Sequence, residues 1–344
     1  MANRDVLAVG TSAGGVEALL FLARHFPHDF PASVLVTIHL PSHVRSGLDE
    51  LLTRAGPLPA SFAAHGEKLD KGRIYIAPPD RHLLLDGDRL SLGSGPRENN
   101  TRPALDPMLR ATALCCGFRS VGVVLTGTLG DGASGLWALQ QCGGTTVVQD
   151  PKDAAFPEMP LNALNRAKPD HVVALADMPA LLESLARQPA GDPVPTPHSI
   201  RYEVHIAKNG SSGMRYMDEM DDLGRRSVLA CPDCGGVMWE IDEGDLLRYR
   251  CHVGHTYTAE VMSVALDDGL RRALASALRA LEERVALARK LHRQATASGH
   301  RLLAQNWEQK AHEFEHEMDI IRASIRRVDQ LAADADRTAR SAAE

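Results

Sequence analysis

The chain has 344 residues, and none of its apolar runs approaches the ~20 that a membrane-spanning helix requires. Its opening residues, MANRDVLAVG, lack the apolar core of a secretory signal. Together these absences argue against membrane insertion and predict a cytoplasmic protein. A positive excess is missing as well: the formal net charge is −6, so no basic field gathers nucleic acid over the whole surface. Cysteines number only six, and in the cytosol disulfides between them are not the default. What remains, 44% hydrophobic and 24% charged residues, is the composition of an ordinary globular protein with length for two or three domains.

What is present is concentrated in glycine-rich turns. The stretch VLAVGTSAGGVEALLFLARHF, residues 6–26, runs from a short apolar strand into a helix with one apolar face. Between them lies Gly10-Thr11-Ser12-Ala13-Gly14-Gly15, built from small residues. Such a turn serves a phosphate-binding loop, a nucleophile elbow of the form G-x-S-x-G, or a plain helix start capped by Ser12 or Thr11. The loop carries neither G-x-G-x-x-G nor G-x-x-x-x-G-K-[ST], which weakens the phosphate reading.

Other strand ends bear on the choice. Strand-like runs VLAVG, SVLVTIHL, RIYIAP, VGVVLTG, GTTVVQ and HVVALA alternate with helical patterns between residues 5 and 186. This predicts an α/β fold, doubly wound about a mainly parallel sheet, with sites at the strand C-terminal ends. HLLLDGDRLSLG adds an antiparallel hairpin through its Asp-Gly turn. His39 closes the run SVLVTIHLP; His43 and His82 are weaker rivals, because neither directly ends a buried strand. Asp131 sits between Gly130 and Gly132 in a second strand–turn–helix, where aspartate also serves as an ordinary helix cap. A serine nucleophile needs a base, and the base an orienting carboxylate. Ser12, His39 and Asp131 are therefore a candidate triad at one rim of one sheet.

Five separated segments, GTSAGGVEAL, IHLP, IYIAPPDRHLLL, LTGTLGDGASG and FPEMP, resemble in the same order the catalytic domain of CheB-type protein-glutamate methylesterases. The resemblance covers residues 5 to about 186. It implies that Ser12 is the nucleophile, His39 its base and Asp131 the third member, demethylating glutamyl methyl esters and deamidating glutamines on chemotaxis receptors. The implied partners are a methylated chemoreceptor and a cognate methyltransferase, and catalysis calls for no cofactor. The backbone N–H of Ala13 is the expected oxyanion donor; the family's arrangement adds that of Thr128. Many members carry threonine at position 13, where a backbone role survives the change to alanine. Members answering to chemotaxis signals usually carry an N-terminal receiver; with Ser12 so near the first residue, the expectation here is no receiver and no control by phosphorylation in cis. Two other readings compete: a noncatalytic adaptor of the same fold, and a nucleotide-binding protein, which the missing lysine and ribose-binding acid oppose.

The expected division is a catalytic domain over 1–186, a linker over 187–226 around the Pro-rich RQPAGDPVPTPHSI, a zinc-ribbon-like module over 227–258 and a helical tail over 259–344. Cys115, Cys116 and Cys142 read as inert core thiols. Cys231-x2-Cys234, then Cys251-x3-His255, has the spacing of a structural Cys3His zinc site; His252, adjacent to Cys251, is a poorer fourth ligand. In the tail, Leu303, Trp307, Ala311, Phe314, Met318, Ile321, Ile325 and Val328 recur at helical spacing, as do Leu274, Leu278, Leu281, Val285 and Ala288. With ATASGH as the turn, they predict an antiparallel hairpin whose helices bury each other and which adds a homodimer contact. On this division Cys231→Ser unfolds only the ribbon, and residues 1–190 alone are at least as active as the whole chain.

Overall fold

Val6-Leu7-Ala8-Val9 is apolar at every position, which suits a strand covered on both faces. The computed structural model, which describes residues 3–39, 46–209, 220–244 and 246–343, forms a parallel sheet from such runs. Its strands are β1 (Val6–Thr11), β2 (Ser33–Ile38), β3 (Ala60–Phe62), β4 (Ile74–Ile76), β7 (Ser120–Val124), β8 (Thr145–Gln149) and β9 (His171–Val173), in the order β3-β4-β2-β1-β7-β8-β9. A hairpin of β5 (His82–Asp86) and β6 (Arg89–Gly93) stands apart from the sheet.

Alternate β1 residues point to opposite faces, and each face has its own core. Leu7 and Val9 join Leu19 and Leu22 of α1 (Gly15–His25), Leu52 of α2 (Leu48–Ala55) and Leu182 of α6 (Met178–Arg187). Val6 and Ala8 join Leu105 and Leu109 of α3 (Leu105–Cys116), Leu136 of α4 (Ala133–Gln141) and Met159 of α5 (Glu158–Ala167). Burying each such leucine stabilises the fold by about 1.5–3 kcal/mol. The expected doubly wound α/β architecture is what forms. From β1 the chain builds outward through β2, then crosses to β7, so the order reverses beside β1 and opens a crevice at the strand C-terminal ends.

The stretch expected as a linker is different. Residues 190–197 have no regular structure, but α7 (His198–Asn209) follows, with Ile200, Val204 and Ala207 buried against Leu84, Ala111 and Ala138. Spacings of four and three residues put those side chains on one helix face. The cysteine-containing region is an antiparallel sheet of β10 (Arg225–Ala230), β11 (Val237–Glu243), β12 (Leu246–Cys251) and β13 (Thr256–Thr258). Trp239 and Ile241 of β11 share a buried cluster with Tyr202 and Ile206 of α7.

Six buried charges complete the seam. Arg110 of α3 pairs with Glu98; Arg250 reaches Glu98 (3.2 Å) and Glu203 of α7 (2.7 Å); Arg248 pairs with Glu203 (2.8 Å) and Glu243. Three guanidiniums thus meet three carboxylates. Removing one partner from such a network strands a buried charge, at about 3–5 kcal/mol. The ribbon is therefore not an appendage: residues 1–262 form one compact unit. A separately unfolding ribbon and a self-sufficient 1–190 fragment both disagree with this seam.

The second unit, residues 263–344, holds most of α8 (Ala259–Ala297) and all of α9 (Arg301–Ala343), joined at Ser298–His300. Arg289 pairs with Glu315 and Arg322 with Glu282 (3.5 Å), which makes the helices antiparallel as the periodicity predicts. Ala288, Ala311 and Met318 face inward as expected, but the seam's first position in α9 shifts by one residue. Leu303 is 48% exposed, and Ala304 at 7% takes the inward place, continuing a row with Ala288, Ala295 and Ala311. Among the described residues, no helix is long and apolar enough to cross a membrane.

Candidate active site

The two glycine-rich turns are built alike. Gly14 precedes α1 with φ +73° and Gly132 precedes α4 with φ +100°, both in the left-handed region where glycine is unstrained. Each turn thereby delivers its side chain, Ser12 or Asp131, at the end of a buried strand. Thr126 ties them together: its carbonyl accepts from Ser12 N (3.1 Å) and Thr11 Oγ1 (2.8 Å), and Phe156 N donates to its Oγ1 (2.8 Å).

Thr11 pairs in register with Ile38, so Ser12 and His39 face each other one step past the paired strands. Neighbouring strands lie ~4.8 Å apart, which brings the two side chains to the same rim. His39 Nε2 is 2.8 Å from Asp131 Oδ2. That contact puts the ring proton on Nε2 and leaves Nδ1 as the acceptor; among the described residues Nδ1 has no hydrogen-bond partner. No hydrogen bond among the described residues joins Ser12 to His39. His43 lies outside the described residues. His82 is fully buried, its Nδ1 accepting from Ala104 N (3.3 Å) and its Nε2 donating to Pro96 O (2.9 Å), so it is a structural histidine.

Asp131 is 1% exposed and accepts four hydrogen bonds. Oδ2 takes His39 and Leu105 N (2.7 Å); Oδ1 takes Asp106 N (3.1 Å) and Asn99 Nδ2 (3.1 Å). Burial alone would raise its pKa, but the His39 contact and the backbone N–H groups outweigh it and hold the carboxyl at about 2. Asp131 is thus a fixed anion facing the imidazole. Asp106 goes the other way: burial first, then the Asp131 charge, push it well above the usual carboxylate range.

Gly130–Gly135 spells G-D-G-A-S-G between a strand and a helix, a match to the dinucleotide fingerprint. Here Asp106 Oδ1 already accepts from Gly132 N (3.0 Å) and Gly135 N (2.7 Å), so a carboxylate of the chain itself occupies the place a phosphate would take. At the other turn, the backbone N–H groups of Ala13 and Thr128 have no partner among the described residues, and both residues are half-buried. They are free to receive an oxyanion. Thr126, Asp106 and Asn99 escaped the sequence reading; only the Asn99-Asn100 pair left a trace, since both take positive φ, a conformation asparagine tolerates.

A second cluster lies in the ribbon. The ligand atoms of Cys231, Cys234, Cys251 and His255 lie within 4.8 Å of one another. Cys234 Sγ is 3.7 Å from Cys251 Sγ, and His255 Nδ1 is 3.6 and 3.4 Å from the sulfurs of Cys231 and Cys251. A tetrahedral ion with bonds of ~2.3 Å to sulfur and ~2.0 Å to nitrogen has donor edges of about 3.8 and 3.5 Å. The donor set fits that geometry. His255 Nε2 faces Asp233 Oδ2 at 3.9 Å, and Tyr257 donates to the same carboxylate (2.7 Å), the outer arrangement that orients a metal-bound imidazole. The rival His252 lies outside the cluster, its ring against Gly236.

The sheet-bearing part of the chain resembles known proteins. A family model described as CheB methylesterase matches residues 7–182. A protein-glutamate methylesterase/protein-glutamine glutaminase of Anaeromyxobacter dehalogenans is 35% identical over 186 residues, 54% of this chain and 54% of the relative. One from Pyrococcus abyssi is 33% identical over 180 residues, 51% of this chain and 49% of the relative. The crystal structure of the Thermotoga maritima CheB methylesterase catalytic domain aligns with a TM-score of 0.52 at 28% identity, covering 54% of this chain and 100% of that one. The chain spans about half the length of the curated relatives it matches.

Proposed function

The chain belongs to the CheB methylesterase family, and from that premise we propose that it is a serine esterase hydrolysing glutamyl methyl esters, with glutamine deamidation as a second activity. The observation that carries the reading is the Asp131–His39 pair at 2.8 Å beside Ser12 on the neighbouring strand end.

In the proposed reaction, Ser12 Oγ attacks the ester carbonyl carbon as His39 Nδ1 takes its proton. The carbonyl oxygen becomes an oxyanion received by the N–H groups of Ala13 and Thr128, each worth about 3 kcal/mol to the transition state. The C–O bond to the methoxy group then breaks, and His39 protonates the leaving oxygen to give methanol. Water, deprotonated by His39, attacks the acyl-serine; the proton returns to Ser12 and the glutamate is released. Asp131 holds the imidazole in one tautomer and balances its charge. Protein groups and water suffice.

The proposed substrate is a methylated chemoreceptor, whose esters a methyltransferase supplies, and the proposed setting is the cytoplasm. The exposed Leu302 and Leu303 favour a further role of the hairpin in homodimer contact. The test is methanol release from a methylated receptor fragment by the purified chain, with a glutamine-bearing fragment assayed for ammonia. Release above the uncatalysed rate is expected. None from either fragment would leave the noncatalytic adaptor as the better reading.

A further inference from the structure

The metal-type cluster and the candidate triad are joined by a short, fully buried path. His255 is followed directly by β13 (Thr256–Thr258). Thr256 O accepts from Asn99 N (2.7 Å), and Thr258 N donates to Asn99 Oδ1 (3.1 Å). The other end of that amide, Nδ2, donates to Asp131 Oδ1 (3.1 Å) and Asp106 Oδ2 (3.1 Å). Asn99, Asp131, Thr256 and Thr258 are each no more than 5% exposed.

An asparagine amide has a donor end and an acceptor end of nearly the same shape. The Thr258 N–H decides which end faces which way. While it occupies Oδ1, the amide must present N–H groups to the two carboxylates. Without β13 in place, Oδ1 and the Asn99 N–H lose their partners, and the amide is held only by the carboxyl groups it is meant to hold. Asp131 would then shift or rotate, and with it the His39 ring.

We propose that Cys231, Cys234, Cys251 and His255 bind a zinc ion, and that this ion, by fixing β13, orients Asn99 and so positions the Asp131–His39 pair. The metal is structural, since all four of its positions are filled by protein. Asn99 is a positioning residue that touches no substrate. The link to turnover rests on the esterase reading; the link to the Asp131–His39 geometry does not.

The test uses the full chain. Elemental analysis of protein purified without chelator should find about one zinc per chain in the wild type and Asn99→Ala, and far less in Cys234→Ser, chosen because Cys234 is the exposed ligand. Zinc withdrawal should lower kcat for a glutamyl methyl ester about 100-fold, as expected for a misplaced catalytic group, with KM nearly unchanged and Zn2+ restoring the rate. Asn99→Ala should cause a similar loss with zinc still bound. Withdrawing zinc from Asn99→Ala should add little, because both changes act through one contact.

An independent readout is the His39 Nε2–H resonance in protein labelled with 15N-histidine and assigned with His39→Gln. It should shift or broaden on zinc withdrawal and in Asn99→Ala. Absence of zinc, and no uptake of added Zn2+, would overturn the metal site. An unchanged resonance and kcat in zinc-loaded Asn99→Ala, or losses that add in the double perturbation, would overturn the coupling. Should zinc withdrawal unfold the chain, zinc-loaded Asn99→Ala decides alone. A wild type that releases no methanol while its His39 resonance follows zinc would sink the esterase reading and leave this proposal standing.

Discussion

The ribbon and the helical hairpin both follow the Pro-rich stretch, yet they are held by opposite means. In the ribbon, Arg248 and Arg250 are fully buried and meet carboxylates from α7, β11 and the loop before α3. In the hairpin, arginines such as Arg289 and Arg322 remain in solvent, and an apolar row, mostly alanines with Val285 and Met318, forms the seam. Buried charges of this kind are costly unless every partner is present, so they tie distant parts of the chain to one fate. Exposed pairs do no such thing. Prolines mark where the backbone is irregular; buried partners decide where a folding unit ends.

The largest expected effect separates chemistry from this architecture. Ser12→Ala should lower kcat for methanol release by at least about 1,000-fold, or ~4 kcal/mol of transition-state stabilisation. Its melting temperature should stay that of the wild type, because Ser12 Oγ has no hydrogen-bond partner among the described residues. A variant retaining more than a few per cent of the rate would refute the nucleophile assignment.

Next comes the seam. Arg250→Met leaves Glu98 and Glu203 short of a partner and should cost about 3–5 kcal/mol. Calorimetry should show the melting temperature falling by roughly 10 °C for a unit of this size. Sheet and ribbon should still melt in one transition. Two separated transitions would restore the independent ribbon and break the comparison.

All strands of the parallel sheet but the short edge strand β3, their alternation with helices and the turns bearing Ser12 and Asp131 were legible in the sequence, because periodicity and glycine placement are local signals. The hairpin was legible for the same reason, apart from the exchange of Leu303 for Ala304: periodicity locates a stripe only to within about a residue at its ends. Asn99 and Thr258 were not legible. They stand 159 residues apart, and nothing local marks an amide whose two ends read different neighbours. The helix α7 was hidden by the prolines before it, and nothing local marks Arg248 and Arg250 as buried, since their partners come from three other elements. Metal-ligand spacing was visible as a pattern; its connection to Asp131 required the fold.

A smaller effect comes from pH. The Asp131 carboxyl lies at about 2 in the folded protein against 3.8 as its ordinary value. A depressed carboxylate contributes stability above its unfolded pKa, and that contribution disappears as pH falls through the folded value. Between about pH 4 and 2, urea unfolding should therefore show a loss on the order of 2 kcal/mol that is absent from Asp131→Asn. Equal acid sensitivity in both proteins would show that Asp131 is not the fixed anion described here.

The smallest effect belongs to the hairpin, and it makes the comparison sharpest. Arg289 is the same residue type as Arg250, also ion-paired, but its side chain is 61% exposed and its Glu315 partner 30%. Water already solvates both groups, so removing one strands nothing. Arg289→Gln should change stability by no more than about 1 kcal/mol, and salt should erase even that, since screening weakens an exposed pair and leaves a buried one nearly untouched. The measurement is a pair of melts for each variant, at low and high salt. Arg250→Met should keep its deficit in both, whereas Arg289→Gln should rejoin the wild type at high salt. An Arg289→Gln deficit of several kcal/mol that persists in salt would mean that the hairpin, too, is held by desolvated charge, and the contrast between the two regions would fail.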